Sequence, residues 1–324
     1  MRNKHIILLA GILLLVLFIF INSRPEEKPS DLDYKEIFQK KYSVFSLPIP
    51  DSITFAGENA PIELFDVRES LDRELLVNTY WQSQTVLFIK RANRYFPEIE
   101  KILAENNIPD DFKYIVLAES ELQNAVSPSG AVGMWQLLEG TAKDFGLEVN
   151  KVVDERYHLK KSTQVACKYF QKAHDLFGSW TMAAASYNMG RNGLVKQVNR
   201  QKQNNYYDLL LNEETARYIY RVLAIKLIIE NPSAYGFHVR PEDMYFPIPT
   251  YEVKVDTAVA DFADFAEKFD INYKLLKYFN PWLRDSFLTN KTGKTYYISI
   301  PAEGYRKHSN HFNYINADTI SVTY

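Results

Sequence analysis

Between residues 58 and 235 the chain never alternates apolar and polar residues in the two-residue rhythm of a strand, and that absence sets the fold class. From Ile62 to about Glu230 the apolar residues instead recur at helical spacing. Gln84–Asn107 forms one such stretch, and Ile108-Pro109-Asp110-Asp111 interrupts it. The interruption starts the next helix with acids at its N-terminus, where the helix dipole favours negative charge. Thr141-Ala142-Lys143-Asp144 reads as a capping box and Gly146 as a helix stop. Ser162–Phe177 and Trp180–Tyr187 read as further helices. Asn212 is the expected cap of a long final helix over Glu213–Glu230, apolar on several faces and therefore expected to be central and buried. The reading for this region is all-α.

Within it, one helical stretch breaks its own pattern. Phe112, Ile115, Val116 and Glu119 share a face at offsets of 3, 4 and 7, so a carboxylate stands where the periodicity calls for an apolar residue. Burial disfavours the charged form, which suits such a Glu to general-acid work. On the spacing alone, a structural carboxylate that caps a loop or pairs with an Arg is the better reading. Downstream, Ser127-Pro128-Ser129-Gly130-Ala131-Val132-Gly133 is turn-rich, and its glycines let backbone approach a ligand closely. Met134-Trp135-Gln136 follows, with Met134 and Trp135 on their own read as core packing, and Tyr187-Asn188-Met189-Gly190 ends a later helix.

Outside the helical region the chain divides by composition. Ile6–Ile21 is an unbroken apolar run preceded by Arg2 and Lys4. Sixteen helical residues reach about 24 Å, slightly short of a hydrocarbon core. The run exceeds a signal-peptide core and lacks a small-x-small site after it, so an uncleaved anchor (residues 1–23) is preferred to a cleaved signal peptide. The charges ahead of it would send the remainder across the membrane. Residues 24–57, polar and proline-punctuated, read as a periplasmic tether. After the helical domain (58–235) and a proline-bearing linker (236–249), residues 250–302 give strand, helix, helix, strand. Tyr251–Val255 and Thr295–Ile300 are the strands, Phe262–Phe269 and Tyr273–Tyr278 the helices, and 303–324 is a tail.

The formal charge of −2 gives no basic footprint for nucleic acid. A single cysteine, Cys167, excludes an intramolecular disulfide and a multi-Cys metal site. His308 and His311 lie in a polar tail without a carboxylate cluster, and no phosphate loop or H-E-x-x-H is present. No metal and no cofactor are expected. The cationic stretch Lys196–Lys202 reads as a solvated face, or as a holder of anionic peptide stems.

Four ordered motifs carry a resemblance: A-E-S-E at Glu119, G-A-V-G-M-W-Q-L at Gly133, S-Y-N-M-G at Tyr187, and E-T-A-R-Y-I-Y-R-V-L-A at Tyr218. Together they resemble family 1 lytic transglycosylases, with their goose-type-lysozyme-like fold, over about residues 58–235. The resemblance implies Glu119 as the single catalytic acid and base. It implies Ser120 as the neighbour that orients the site, Gly133, Met134 and Gln136 as the glycan-contacting loop, Tyr187 and Asn188 as the groove pair, and Tyr218 as the tyrosine bonded near the acid. Ser186 replaces the usual alanine, and Tyr220 stands where a proline is common. The C-terminal module resembles a degenerate LysM domain through Asp256-Thr257, Asn280-Pro281 and Ile300-Pro301, with Val255 in place of a glycine and a long 284–294 segment. The overall expectation is a mainly α chain: a lysozyme-like catalytic domain, a small α+β module, and a membrane anchor.

Peptidoglycan glycan strands are then the implied partner, in a bacterial envelope. Glu121, the only acid near Glu119 in sequence, cannot share its helical face, which is consistent with a one-carboxylate reaction. The resemblance implies cleavage of the β-1,4 bond between N-acetylmuramic acid and N-acetylglucosamine with a 1,6-anhydro product. A silent peptidoglycan-binding scaffold and a lysozyme-type hydrolase remain the alternatives.

Overall fold

A computed structural model of the chain describes residue 36 and residues 43–307. The apolar run at 6–21 and the histidines at 308 and 311 lie outside the described residues. Among the described residues, no helix is long and apolar enough to cross a membrane.

The helical expectation holds, with one small sheet added. A two-stranded hairpin, β1 (Thr54–Phe55) and β2 (Glu58–Asn59), precedes the helices. Its tight turn places Ala56 at φ 53° and Gly57 at φ 80°. These strands are too short to show an alternation, so periodicity could not find them. Ile53 and Phe55, inside the 24–57 segment expected to be a tether, are instead buried in the helical core. Asp111 fixes the hairpin: its carboxylate accepts the Ala56 N–H at 2.6 Å and pairs with Lys226 at 2.7 Å.

Eight helices follow: α1 (Phe65–Tyr80), α2 (Gln82–Glu105), α3 (Lys113–Ser120), α4 (Glu139–Asp144), α5 (Leu159–Phe177), α6 (Trp180–Met189), α7 (Arg191–Gln201) and α8 (Glu213–Glu230). Helix α8 is capped as the sequence predicts, with Asn212 Oδ1 accepting the Thr215 N–H at 2.9 Å. It is central: Ile219, Val222, Leu223 and Ala224 are fully buried, and it packs on α1, α3 and α6. Ala183, Ala184 and Ala185 on α6 are also fully buried, and such small side chains let backbones approach closely. Phe112 lies among Phe55, Phe170 and Trp180 at centroid separations of 4.4–5.4 Å. Cys167 is buried and its thiol is pushed up to about 12, which leaves it inert at neutral pH.

One expected cap is corrected. Helix α4 begins at Glu139, so Thr141 lies inside it, and Leu138 at the cap position offers no side-chain acceptor. The Thr-x-x-Asp pattern is one turn out of register with the helix start. The cap of α6 is partly local and partly distant. Ser179 Oγ accepts the Met182 N–H at 3.3 Å, and the Glu58 carboxylate accepts the N–H groups of Trp180 and Thr181 at 2.6 and 2.9 Å. Burial pushes the Glu58 carboxyl up, but the bonds from Thr181, Ser179 and Trp180 outweigh it and hold the group below its ordinary value. Glu58→Ala is therefore expected to cost about 1–2 kcal/mol at neutral pH. A depressed carboxyl contributes stability above its unfolded value and loses it as pH falls through the folded one. Thermal melts should show a gap between wild type and variant at pH 7 that closes in acid.

The C-terminal module pairs β3 (Thr250–Val255) antiparallel with β4 (Tyr296–Pro301), from Thr250 opposite Pro301 to Val255 opposite Tyr296. Helices α9 (Phe262–Glu267) and α10 (Tyr273–Phe279) lie between them in sequence, capped by Asp261 and Asn272. Asn280 is fully buried and bridges α10 to β4, donating to Ser299 O at 2.7 Å and accepting the Ser299 N–H at 2.8 Å. Val255 is buried in the module's own core, and the long 284–294 segment folds back to bond Leu288 with Val259.

Candidate active site

Helix α3 ends one residue after Glu119, because Glu121 and Leu122 take left-handed conformations at φ 60° and 57°. This stop turns Glu121 away toward Arg91, 3.7 Å from its carboxylate, while Glu119 faces a cleft of about 780 Å³. Half-buried, Glu119 presents its carboxyl to the cleft floor, where the Tyr218 phenol donates a short hydrogen bond to Oε1. Burial pushes its carboxyl up, the Tyr218 bond pulls it down, Glu214 raises it and Arg221 lowers it, leaving it at about 7. The group thus holds a proton near neutrality and can release one, which is what an acid that later serves as base requires.

The sequence-predicted residues converge on this cleft in two ways. Gln136, Tyr187, Asn188 and Tyr218 line it with Glu119. Ser120, Gly133 and Met134 lie behind that lining. Ser120 Oγ, buried, donates to Met134 O at 2.6 Å and so ties α3 to the loop. Gly133, at φ 83°, lies against the backbone of Arg156, and a Cβ there would fall 2.2 Å from Arg156 O. Gln136 takes φ 47° and donates to Ala125 O and Gly133 O at 3.1 and 2.8 Å, so it braces the loop that it helps to expose. The Tyr187 hydroxyl donates to Trp135 O at 2.6 Å, and the Trp135 indole donates to Thr163 at 2.7 Å. Asn188 donates to Glu214 at 3.2 Å and accepts from Thr215 at 2.7 Å.

Sequence reading missed several lining residues. Glu214 and Arg221 stand at offsets of −4 and +3 from Tyr218, on one face of α8. That spacing was readable, but the apolar residues of the helix drew the pattern. Arg221 is steadied from below by the buried Glu74 of α1, which also takes the Arg217 Nε–H at 2.7 Å. Arg191, stacked 5.1 Å over Tyr169, is another cleft cation. The basic stretch 196–202 lies outside the lining, with Lys196, Arg200 and Lys202 exposed to solvent. Among the described residues no cluster of His, Cys, Asp or Glu is suited to a metal.

Residues 97–210 match the family described as the transglycosylase SLT domain, and residues 251–304 match the soluble lytic transglycosylase C-terminal LysM-like domain. The chain thus resembles the first family in its helical region and the second in its C-terminal module. It is homologous to the membrane-bound lytic murein transglycosylase D of Escherichia coli strain K12, at 27% identity over 228 residues. That alignment covers 68% of this chain and 49% of the relative, and the protein of the same name from E. coli O6:H1 matches equally. The chain thus spans about half the length of the curated relatives it matches.

Proposed function

We propose that this chain is a lytic transglycosylase of peptidoglycan, with Glu119 acting first as acid and then as base. The observation that carries the reading is the Glu119 carboxyl on the cleft floor, bonded through Oε1 to Tyr218 and poised at about 7. With Tyr218 occupying Oε1, the other oxygen is free to hold the proton. Protonated Glu119 gives it to the oxygen of the β-1,4 bond between N-acetylmuramic acid and N-acetylglucosamine, and the bond from C1 to that oxygen breaks. The substrate acetamido group steadies the positive charge that develops at C1. Glu119, now ionised, takes the proton of the muramoyl C6 hydroxyl, and O6 bonds to C1 to close a 1,6-anhydro ring. No water is consumed and Glu119 ends protonated.

In this reading Gln136, Tyr187 and Asn188 hold the glycan, and Ser120, Gly133 and Met134 shape the loop from behind. The apolar run at 6–21 anchors the chain in a membrane of the bacterial envelope, with the cleft facing the wall. The goose-type-lysozyme-like fold belongs to the same proposal.

A second reading rests on Glu214, which shares the cleft with Glu119. Two carboxylates can support hydrolysis to a reducing end. Digestion of purified sacculi followed by mass spectrometry of the muropeptides separates the outcomes. Anhydro ends are expected from the wild type and from Glu214→Gln. Reducing ends that vanish in Glu214→Gln would establish a hydrolase, and no release at all would leave the silent scaffold. Because the first step needs protonated Glu119, kcat/KM of the free enzyme should fall as pH rises through about 7. A profile flat from pH 5 to 9 would remove Glu119 from the acid role.

A further inference from the structure

The C-terminal module does not hang from its linker. It grips residues 148–158 of the catalytic domain. That segment folds into a hook, closed by the Asn150 side chain, which accepts the N–H groups of Val152 and Val153 at 2.8 Å, and by paired bonds between Glu148 and Glu155. The hook tip is held like an added strand. Asp154 N–H donates to Trp282 O at 2.9 Å, Arg284 N–H donates to Val152 O at 2.8 Å, and Val153 pairs with Leu283. Val153 is 1% exposed and belongs to the module's hydrophobic core rather than to that of the catalytic domain. Lys294 and the Tyr296 hydroxyl bond Glu148 at 2.6 and 3.0 Å, and the Arg284 guanidinium lies 4.0 Å over the Tyr157 ring.

The other end of the hook reaches the cleft loop. Asp154, whose N–H the module holds, takes a two-point grip on Arg156, with Nε at 3.0 Å and Nη2 at 2.8 Å. Both side chains are buried, so the guanidinium is fixed in one orientation. Arg156 Nη1 then donates to Gly130 O and Leu137 O at 3.2 and 3.3 Å, one on each side of the turn that carries Gln136. Its carbonyl occupies the space that the missing Cβ of Gly133 leaves. Two backbone carbonyls and a glycine of the glycan loop therefore rest on one arginine, and that arginine rests on the module.

The geometry points to the C-terminal module as a positioning element of the catalytic cleft, acting through Val153, Asp154 and Arg156 on the loop 130–137. Arg156 is the positioning residue in this chain of contacts. The proposal rests on the catalytic reading above for its consequence in turnover, but the mechanical coupling itself does not depend on it.

The test uses the full chain. Val153→Asp places a carboxylate in the module core and releases the hook from the module side. Arg156→Ala removes the link on the loop side, and Arg156→Lys keeps the charge without the two-point fork. Hydrogen exchange is read at the Gly133 and Leu137 amides, which bond Ala125 O and Val132 O. Both V153D and R156A are expected to speed exchange at these amides by about tenfold or more, with R156K between them and wild type. Turnover of glycan should drop by about tenfold in kcat with a smaller change in KM, as loop misplacement predicts, while the pH midpoint set by Glu119 stays put. A merely structural loss would instead lower the amount of folded enzyme and leave kcat per folded molecule unchanged. If V153D does not fold, the pair Lys294→Ala and Tyr296→Phe strips the contacts to Glu148 while keeping the Tyr296 ring in the module core, with a smaller expected acceleration, above about twofold. Faster exchange in the module with Gly133 and Leu137 unchanged would overturn the proposal. Exchange is read whether or not the wild type cuts glycan, so failure of this coupling and failure of the catalytic reading are separate results.

Discussion

If Glu119 acts as proposed, Glu119→Gln should abolish anhydro-product formation and lower kcat by about 10⁴-fold, the upper end of what one acid or base contributes, because in that reaction the residue serves as both. Glutamine keeps the shape and can still accept the Tyr218 hydrogen bond, but it can neither give up a proton to the glycosidic oxygen nor take one from the C6 hydroxyl. The same variant should be more stable than wild type in mild alkali. The Glu119 carboxyl lies at about 7 in the fold, against an ordinary 4.5. A carboxyl raised in the folded state favours folding fully below its unfolded value, and that contribution disappears as pH rises through the folded value. At pH 8 the wild type therefore carries a charge that its surroundings disfavour, worth about 3 kcal/mol of destabilisation, at ~1.4 kcal/mol per pH unit of displacement. Melting curves of wild type and Glu119→Gln should converge near pH 4 and separate by pH 8, with the variant higher. A variant that is inactive but no more stable at pH 8 would mean that the carboxyl is not held protonated by its surroundings.

The second large effect is expected at Gly133. Gly133→Ala must adopt φ 83° and place a methyl 2.2 Å from Arg156 O and 3.0 Å from its carbonyl carbon. Backbone stands on both sides, so no side chain can swing aside. Overpacking and a left-handed alanine together should cost about 3 kcal/mol or more and displace the loop that carries Gln136. Gly130→Ala is the internal control. It sits at φ 79° three residues earlier, yet its added methyl meets nothing within 4 Å, so backbone strain alone, about 1 kcal/mol, is expected. Denaturant midpoints of the two variants should differ accordingly. Equal losses would show that steric contact with Arg156 is not what demands glycine at residue 133.

These residues differ in how visible they were before the fold was known. Glu119 could be found because a charge in an apolar helical register violates a short-range rule, and such rules are written in adjacent residues. Asn212 was visible as a cap for the same reason. Tyr218 lies 99 residues from Glu119, and nothing local links them; only the order of the four motifs did. Glu214 and Arg221 were readable in principle from Tyr218 and the helical repeat. The Thr141 pattern misled because a capping motif also occurs by chance inside a helix whose true start has no capping side chain. The Glu58 cap and the 148–158 hook had no signal. Both are irregular backbone whose partners come from distant parts of the chain, Glu58 reaching Trp180 across 122 positions. Local sequence does not encode such pairings, and packing decides them.

The burial of Trp135 under the loop 130–137 gives this protein a built-in optical reporter. Its indole is fully enclosed, hydrogen-bonded to Thr163, and set edge-on to Tyr187 at 6.4 Å, while its own carbonyl receives the Tyr187 hydroxyl. Any motion of the loop must shift that ring relative to the tyrosine of the groove. Trp282 occupies the corresponding place in the C-terminal module, stacked on Tyr296 beside the hook. With only four tryptophans in the chain, at 81, 135, 180 and 282, replacing the two at 81 and 180 by phenylalanine would leave one emitter on each side of the contact. If the cleft takes glycan as proposed, its entry would register as a change in Trp135 emission, and strain carried into the module as a change in that of Trp282.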